Sequence, residues 1–195
     1  MNITENLLSI NTFSRPGTPL HSALALIMHW TAVPRQRAIE TRQYFEDRKN
    51  GTTGYGSAHY IIDMDGSIIR CIPESEVAYH VGSNQVDPAS GKIYTDWARA
   101  KFGVHIDDPQ SIGPNICTLG IEMEPIDAPG TFTVQTLDAA GELAADICRR
   151  LQLDPLVDLA THHQVVGWKD CPRLWTSQPA LVDTFRQDVK SRMVS

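Results

Sequence analysis

The side chains best equipped for chemistry in this 195-residue chain are its histidines and cysteines, and several stand where a run of regular structure should end. His29 closes the apolar run Ala23-Leu24-Ala25-Leu26-Ile27-Met28. The pair His162-His163 follows the short run Val157–Thr161, and Cys171 sits just before Pro172. A hydrolytic zinc centre takes three protein ligands from imidazole, thiolate and carboxylate and leaves a fourth position for water. His29, His162 and Cys171 form such a set, and the interval from 162 to 171 lets a loop leave a strand and return its thiolate to the same ion. Taken singly each residue has a plainer reading, since a histidine after an apolar strand is more often structural or solvated than a ligand. Glu122, in Gly120-Ile121-Glu122, and Lys169, in Lys169-Asp170-Cys171, add what hydrolysis also needs: a carboxylate to move a proton and an ammonium to steady a developing oxyanion. Ile121 and Met123 alternate around Glu122, which argues against a simple surface charge. A second reading makes Cys171 a metal-free nucleophile with a histidine base. Pro172 immediately after the cysteine, and a histidine pair as the nearest bases, give no particular support for an activated thiol at a helix start.

These residues need elements to hold them. Ser22–Trp30 reads as a strand buried on both faces. Val33–Asn50 reads as an exposed helix, with Pro34 suited to its first turn and Gly51 to its C-terminal end. Ala58–Asp63 and Ser67–Ile72 flank Met64-Asp65-Gly66, a strong hairpin signal. From Glu74 to Pro114, glycines and prolines punctuate a long loop region with one short helix around Tyr94–Lys101. Thr118–Pro125 is expected as a strand, Thr136–Leu151 as an amphipathic helix, Val157–Thr161 as a strand and Pro179–Met193 as a closing helix. The fold class expected is α/β (mixed α+β), a central mixed β-sheet flanked by helices. Residues 1–21, interrupted by Pro16, Gly17 and Pro19, are expected to form an N-terminal arm, and 22–195 the catalytic domain.

Length and an apolar content of 42% favour one core. A net charge of −6 argues against nucleic acid held through a broad basic surface. No run is long enough to insert into a membrane. No secretory signal is visible at Met1-Asn2-Ile3-Thr4-Glu5, so cytoplasmic synthesis is expected, with thiols kept reduced. Cys71, Cys117 and Cys148 are expected to pack as small hydrophobes.

Five segments in order carry a resemblance: His29-Trp30-Thr31, Ser57-Ala58-His59-Tyr60-Ile61-Ile62, Ala78-Tyr79-His80-Val81-Gly82, Leu119-Gly120-Ile121-Glu122, and His162 to Pro172. The chain resembles the type-2 N-acetylmuramoyl-L-alanine amidases, whose superfamily also holds peptidoglycan-recognition proteins and phage endolysins. That resemblance implies a zinc (Zn2+) amidase cleaving the bond between the lactyl group of N-acetylmuramic acid and L-alanine, in cell-wall lysis or recycling. It matches His29, His162 and Cys171 to the metal ligands, Glu122 to the catalytic glutamate and Lys169 to a lysine two positions before the last ligand. Other members carry a tyrosine where this chain has Ala58, leaving the base role to Glu122. Several members space their last two ligands eight apart, which would select His163 in place of His162. His80 falls where members line the substrate groove, His59 belongs to the second segment, and Trp30 and Trp97 are candidates for stacking on sugars. The implied partner is peptidoglycan or a muropeptide met by a monomer, which acts on the wall if released. The superfamily's non-catalytic recognition modules are the alternative, although these usually lack the cysteine ligand.

Overall fold

The computed structural model describes residues 1–103, 106 and 112–194. Part of the long irregular stretch expected over 74–114 therefore lies outside the described residues.

A six-stranded sheet runs through the molecule in the order β1-β4-β3-β5-β2-β6. Its strands are β1 (Ile3–Glu5), β2 (Ala25–Trp30), β3 (Tyr60–Ile62), β4 (Ile68–Arg70), β5 (Thr118–Met123) and β6 (Leu159–Thr161). The β3–β4 hairpin is antiparallel, while β3, β5, β2 and β6 pair in parallel. β2 is buried along its whole length, as expected of a central strand covered on both faces. The helices are α1 (Ala38–Asp47), α2 (Asp96–Phe102), α3 (Val134–Leu151), α4 (Pro155–Asp158), α5 (His162–Val166), α6 (Arg173–Ser177) and α7 (Ala180–Met193).

Strand alternation divides the apolar residues between the two faces. Leu26, Met28, Trp30, Leu119, Ile121 and Met123 join one large cluster with Ala140, Leu143, Ala144 and Ile147 of α3 and Val182, Phe185 and Val189 of α7. α3 offers Thr136, Ala140, Leu143, Ala144 and Ile147 at helical spacing. Thr133 caps the start of α3 by accepting the Thr136 N–H. At Gly141 of α3 a Cβ would lie 2.8 Å from the Asp188 carboxylate of α7, so the two helices meet closely there. On the opposite face the apolar residues form two separate clusters. One gathers Ala25, Ile27 and Ala160 under α2 and α5, and the other packs Ile61 and Ile69 against Ala38 and Phe45 of α1.

Several elements differ from expectation. The arm contributes β1, paired in parallel with β4 through Ile3, Thr4 and Glu5, ahead of the proline-rich stretch that was expected to keep it irregular. α1 begins at Ala38 and not at Val33, because Ala32 and Arg35 take φ of 61° and 62°, incompatible with a helix. The segment before β6 coils into α4, its first turn capped by the Asp154 side chain accepting the Leu156 N–H, so β6 is shorter than predicted.

Candidate metal centre

Parallel pairing of β2 with β5 sets His29 directly opposite Glu122. Residues paired in this way project to the same face, so an imidazole and a carboxylate emerge side by side at the end of the sheet. β6 runs parallel on the other flank of β2, and its last residue, Thr161, delivers His162 as the first residue of α5. Thr161 and Gln164 form a reciprocal capping box there. The next amide in this turn, His163 N–H, donates to the Cys171 carbonyl at 3.0 Å, so an otherwise orphan helix-start donor ties the Cys171 turn to the end of β6. The Trp30 indole N–H holds the same turn by donating to the Asp170 carbonyl at 3.1 Å.

The consequence is a tight cluster. Among the described residues, ligand atoms of His29, His162 and Cys171 all lie within 4.8 Å of one another, and all three residues are buried. His29 Nδ1 is 3.1 Å from His162 Nδ1 and 3.7 Å from Cys171 Sγ. A tetrahedral zinc with about 2.0–2.1 Å to nitrogen and about 2.3 Å to sulfur has donor–donor edges of about 3.3–3.4 Å and about 3.5–3.6 Å. The two separations, 3.1 and 3.7 Å, lie within about 0.3 Å of those edges. Two buried polar atoms here have no hydrogen-bond partner among the described residues, His162 Nε2 and Glu122 Oε2. Buried polar atoms are rarely left so, and the bare Glu122 oxygen beside the cluster fits a site completed by a bound group. The donor set therefore suits a metal, and zinc in particular by its mixture of imidazole and thiolate.

Electrostatics agree. Burial drives His29 and His162 well below the ordinary imidazole value, reinforced by neighbouring imidazoles and Lys169, so both rings are neutral and offer lone pairs. Burial pushes the Cys171 thiol up to about 12, Glu122 adds to the rise, and Lys169 opposes it. Left to itself that thiol is protonated and a poor nucleophile, so the metal-free reading of Cys171 gains nothing, whereas a coordinating thiol loses its proton to the metal. Burial raises Glu122 to about 7, with Lys169 pulling it partly back, which suits a proton acceptor at neutral pH.

Of the cluster, His29 and Cys171 are buried, while His162 borders a cleft of about 1250 Å³, together with Glu122 and with Trp30, Tyr44, Tyr55, Tyr79 and Lys169. Lys169 is exposed on its rim. The remaining sequence-predicted residues divide. Trp30 is 7% exposed, packed in the α3/α7 cluster with the Arg173 guanidinium over its ring, and reaches the cleft only by an edge. His80 borders the cleft, but both its ring nitrogens bond within the protein, to His29 and Thr118. His59 does not reach the cleft. It is fully buried, its Nδ1 accepts the Gly120 N–H and its Nε2 donates to the Glu76 carbonyl. Trp97 packs edge-on against Phe102 beneath α2. His163 is turned aside, its Nδ1 donating to the Lys169 carbonyl at 3.1 Å, which leaves His162 as the histidine of this pair in the cluster.

Sequence reasoning passed over Thr118, Asn115 and Glu124. Asn115 Oδ1 accepts the backbone N–H of both His80 and Val81. Glu124, on the same strand face as Glu122, accepts from the hydroxyls of Thr31 and Thr41. The alternation that singled out Glu122 would have found Thr118 and Glu124 as well.

The sequence and the fold match known proteins. Residues 20–174 match the family model described as N-acetylmuramoyl-L-alanine amidase. A probable N-acetylmuramoyl-L-alanine amidase of Bacillus licheniformis is 30% identical over 97% of this chain and 47% of its own. The N-acetylmuramoyl-L-alanine amidase BlyA of Bacillus subtilis (strain 168) is 29% identical over the same shares. The chain thus spans about half the length of these curated relatives. The solution structure of the PlyG catalytic domain shares the fold, with a TM-score of 0.69 and 18% identity over 100% of this chain and 97% of that one.

Proposed function

Because the chain belongs to the N-acetylmuramoyl-L-alanine amidase family, we propose that it uses zinc to hydrolyse the amide joining the lactyl group of N-acetylmuramic acid to L-alanine in peptidoglycan. The observation that carries this reading is the convergence of His29, His162 and Cys171 beside a Glu122 carboxylate oxygen that has no hydrogen-bond partner among the described residues. These three residues would hold the ion, and zinc bound there supplies Lewis-acid activation of water and carbonyl.

The chain's own groups do the rest. Glu122, raised to about 7 by burial, takes the proton of the attacking water and returns it to the departing amine of L-alanine. Lys169, on the rim, places its ammonium where the carbonyl oxygen gains charge. Trp30 offers the cleft an aromatic edge for sugar. His80 and His59 have no ring nitrogen left for substrate, so we move both from binding to support. Residues 22–195 carry the activity in this reading, with 1–21 as an arm, and one copy suffices because every named group comes from one chain. No helix among the described residues is long and apolar enough to cross a membrane. Action on the wall then follows release of the protein to its substrate.

The test is incubation of purified protein with peptidoglycan, scoring newly freed L-alanine amino termini with chelator and with zinc restored. Release that is chelator-sensitive, restored by zinc and absent in Cys171→Ser and Glu122→Ala is the expected result. Protein that sediments with cell walls but frees no amino termini is a recognition module and not an amidase.

A further inference from the structure

A chain of hydrogen bonds runs from a backbone carbonyl into the metal centre, and its proton positions follow from which atoms can only accept. Thr118 Oγ1 donates to the Pro114 carbonyl at 2.7 Å, which uses its one proton. His80 Nε2 lies 3.1 Å from that same oxygen and 3.3 Å from the Thr118 carbonyl. Both neighbours are acceptors, so His80 carries its proton on Nε2. A neutral imidazole has only one N–H, which leaves His80 Nδ1 as an acceptor. His29 Nε2 lies 3.0 Å from His80 Nδ1 and must therefore donate to it. The other nitrogen of His29, Nδ1, is then bare, and it is the one that faces His162 Nδ1 and Cys171 Sγ.

We propose that His80 is a positioning residue that fixes the tautomer and ring orientation of His29, so that the Nδ1 lone pair of His29 points at the metal. The proposal rests on the zinc reading above. Metal-binding histidines commonly anchor their second nitrogen directly on a carboxylate or carbonyl. In this chain the anchor is a second imidazole, which passes the constraint on to Thr118 and Pro114. The surroundings hold His80 for that task. Asn115 Oδ1 accepts the N–H groups of His80 and Val81, both at 2.9 Å, pinning the backbone. β5 passes so close beneath the ring that a Cβ on Gly120 would lie 2.6 Å from His80 Cγ and Nδ1. His162 has no such anchor, since its Nε2 lacks a partner among the described residues. Of the two imidazoles in the donor set, the one whose second nitrogen is anchored among the described residues is that of His29.

The experiment measures zinc affinity by chelator competition and records the visible spectrum of the cobalt(II) form, for the full chain and for His80→Leu, His80→Phe and His80→Asn. Thermal unfolding of each metal-free protein identifies the folded variants. Loss of the anchor weakens zinc binding about 10–100-fold and alters the cobalt bands in His80→Leu, or in His80→Phe should the leucine variant not fold. His80→Asn, whose Oδ1 can accept from His29 Nε2, recovers affinity to within a few-fold of the parent. A folded leucine or phenylalanine variant with the parent's affinity and spectrum overturns the proposal while leaving the zinc reading intact. A parent protein that takes up neither metal removes the zinc reading and this one with it.

Discussion

The two faces of the central sheet are built from the same strands and serve opposite ends. In β2 and β5, the residues Leu26, Met28, Leu119, Ile121 and Met123 point one way into a single apolar cluster under α3 and α7. Their neighbours Ala25, Ile27, His29, Thr118, Gly120 and Glu122 point the other way, where the apolar residues break into two clusters. That same face carries the His29 imidazole opposite the Glu122 carboxylate, while Cys171, whose thiol stands 3.7 Å from His29 Nδ1, belongs to the cluster under α3 and α7. Burying such groups costs stability unless each is bonded. The continuous face under α3 and α7 provides the burial that lets the polar face exist, and stability and chemistry should therefore respond to different substitutions.

Glu122→Gln gives the largest effect and tests the polar face. Turnover on peptidoglycan should fall about 10²–10⁴-fold, with zinc content and thermal midpoint close to the parent's. A variant that unfolds instead would show that the face also holds the fold together. Leu143→Ala is the converse: chemical denaturation should show a loss of about 2–5 kcal/mol, with the folded protein keeping its zinc affinity. Affinity falling in step with stability would break the separation.

Glu124 sharpens the comparison through pH. Burial raises its carboxyl to about 8 despite hydrogen bonds from Thr31 and Thr41. Below the ordinary value of 4.5 both folded and unfolded chains hold this proton, and the stability it contributes is complete. As pH climbs from there through about 8, the unfolded chain ionises first, so stability declines. The urea midpoint of the metal-free protein should drop across that window, and Glu124→Gln should flatten the drop. An unchanged slope would place the titration elsewhere. The smallest effect is expected of Trp30→Phe, which removes the bond to the Asp170 carbonyl: about 0.5–1.5 kcal/mol in thermal unfolding, with zinc affinity slightly weaker because the Cys171 turn is less firmly held.

The sequence revealed what depends on local pattern. The apolar run before His29, the Asp65-Gly66 turn and the spacing along α3 all name their elements, and the positions of the candidate residues at strand ends follow from them. Short elements such as α4, α6 and the three-residue β1 carry too few residues to show a period. The start of α1 was hidden because the left-handed conformations of Ala32 and Arg35 are set by the chain's path past β5, where the Arg35 N–H donates to the Pro125 carbonyl. His80 stands out in the sequence as a candidate, whereas its bond to His29 does not. Its contact with His29 joins positions 51 apart in sequence, and it depends on Asn115 and on the bare backbone of Gly120.

The donor triad also has a timing. His29 and His162 are 133 positions apart, and His29 and Cys171 are 142 apart. A chain emerging from the ribosome presents the first imidazole early, together with β2, but the other two donors arrive only after β6 and its following turn have been synthesised and have docked beside it. Until then no truncated nascent chain, however well its first strands have paired, can assemble the full set. Nearly all of the described fold must exist before this cluster does.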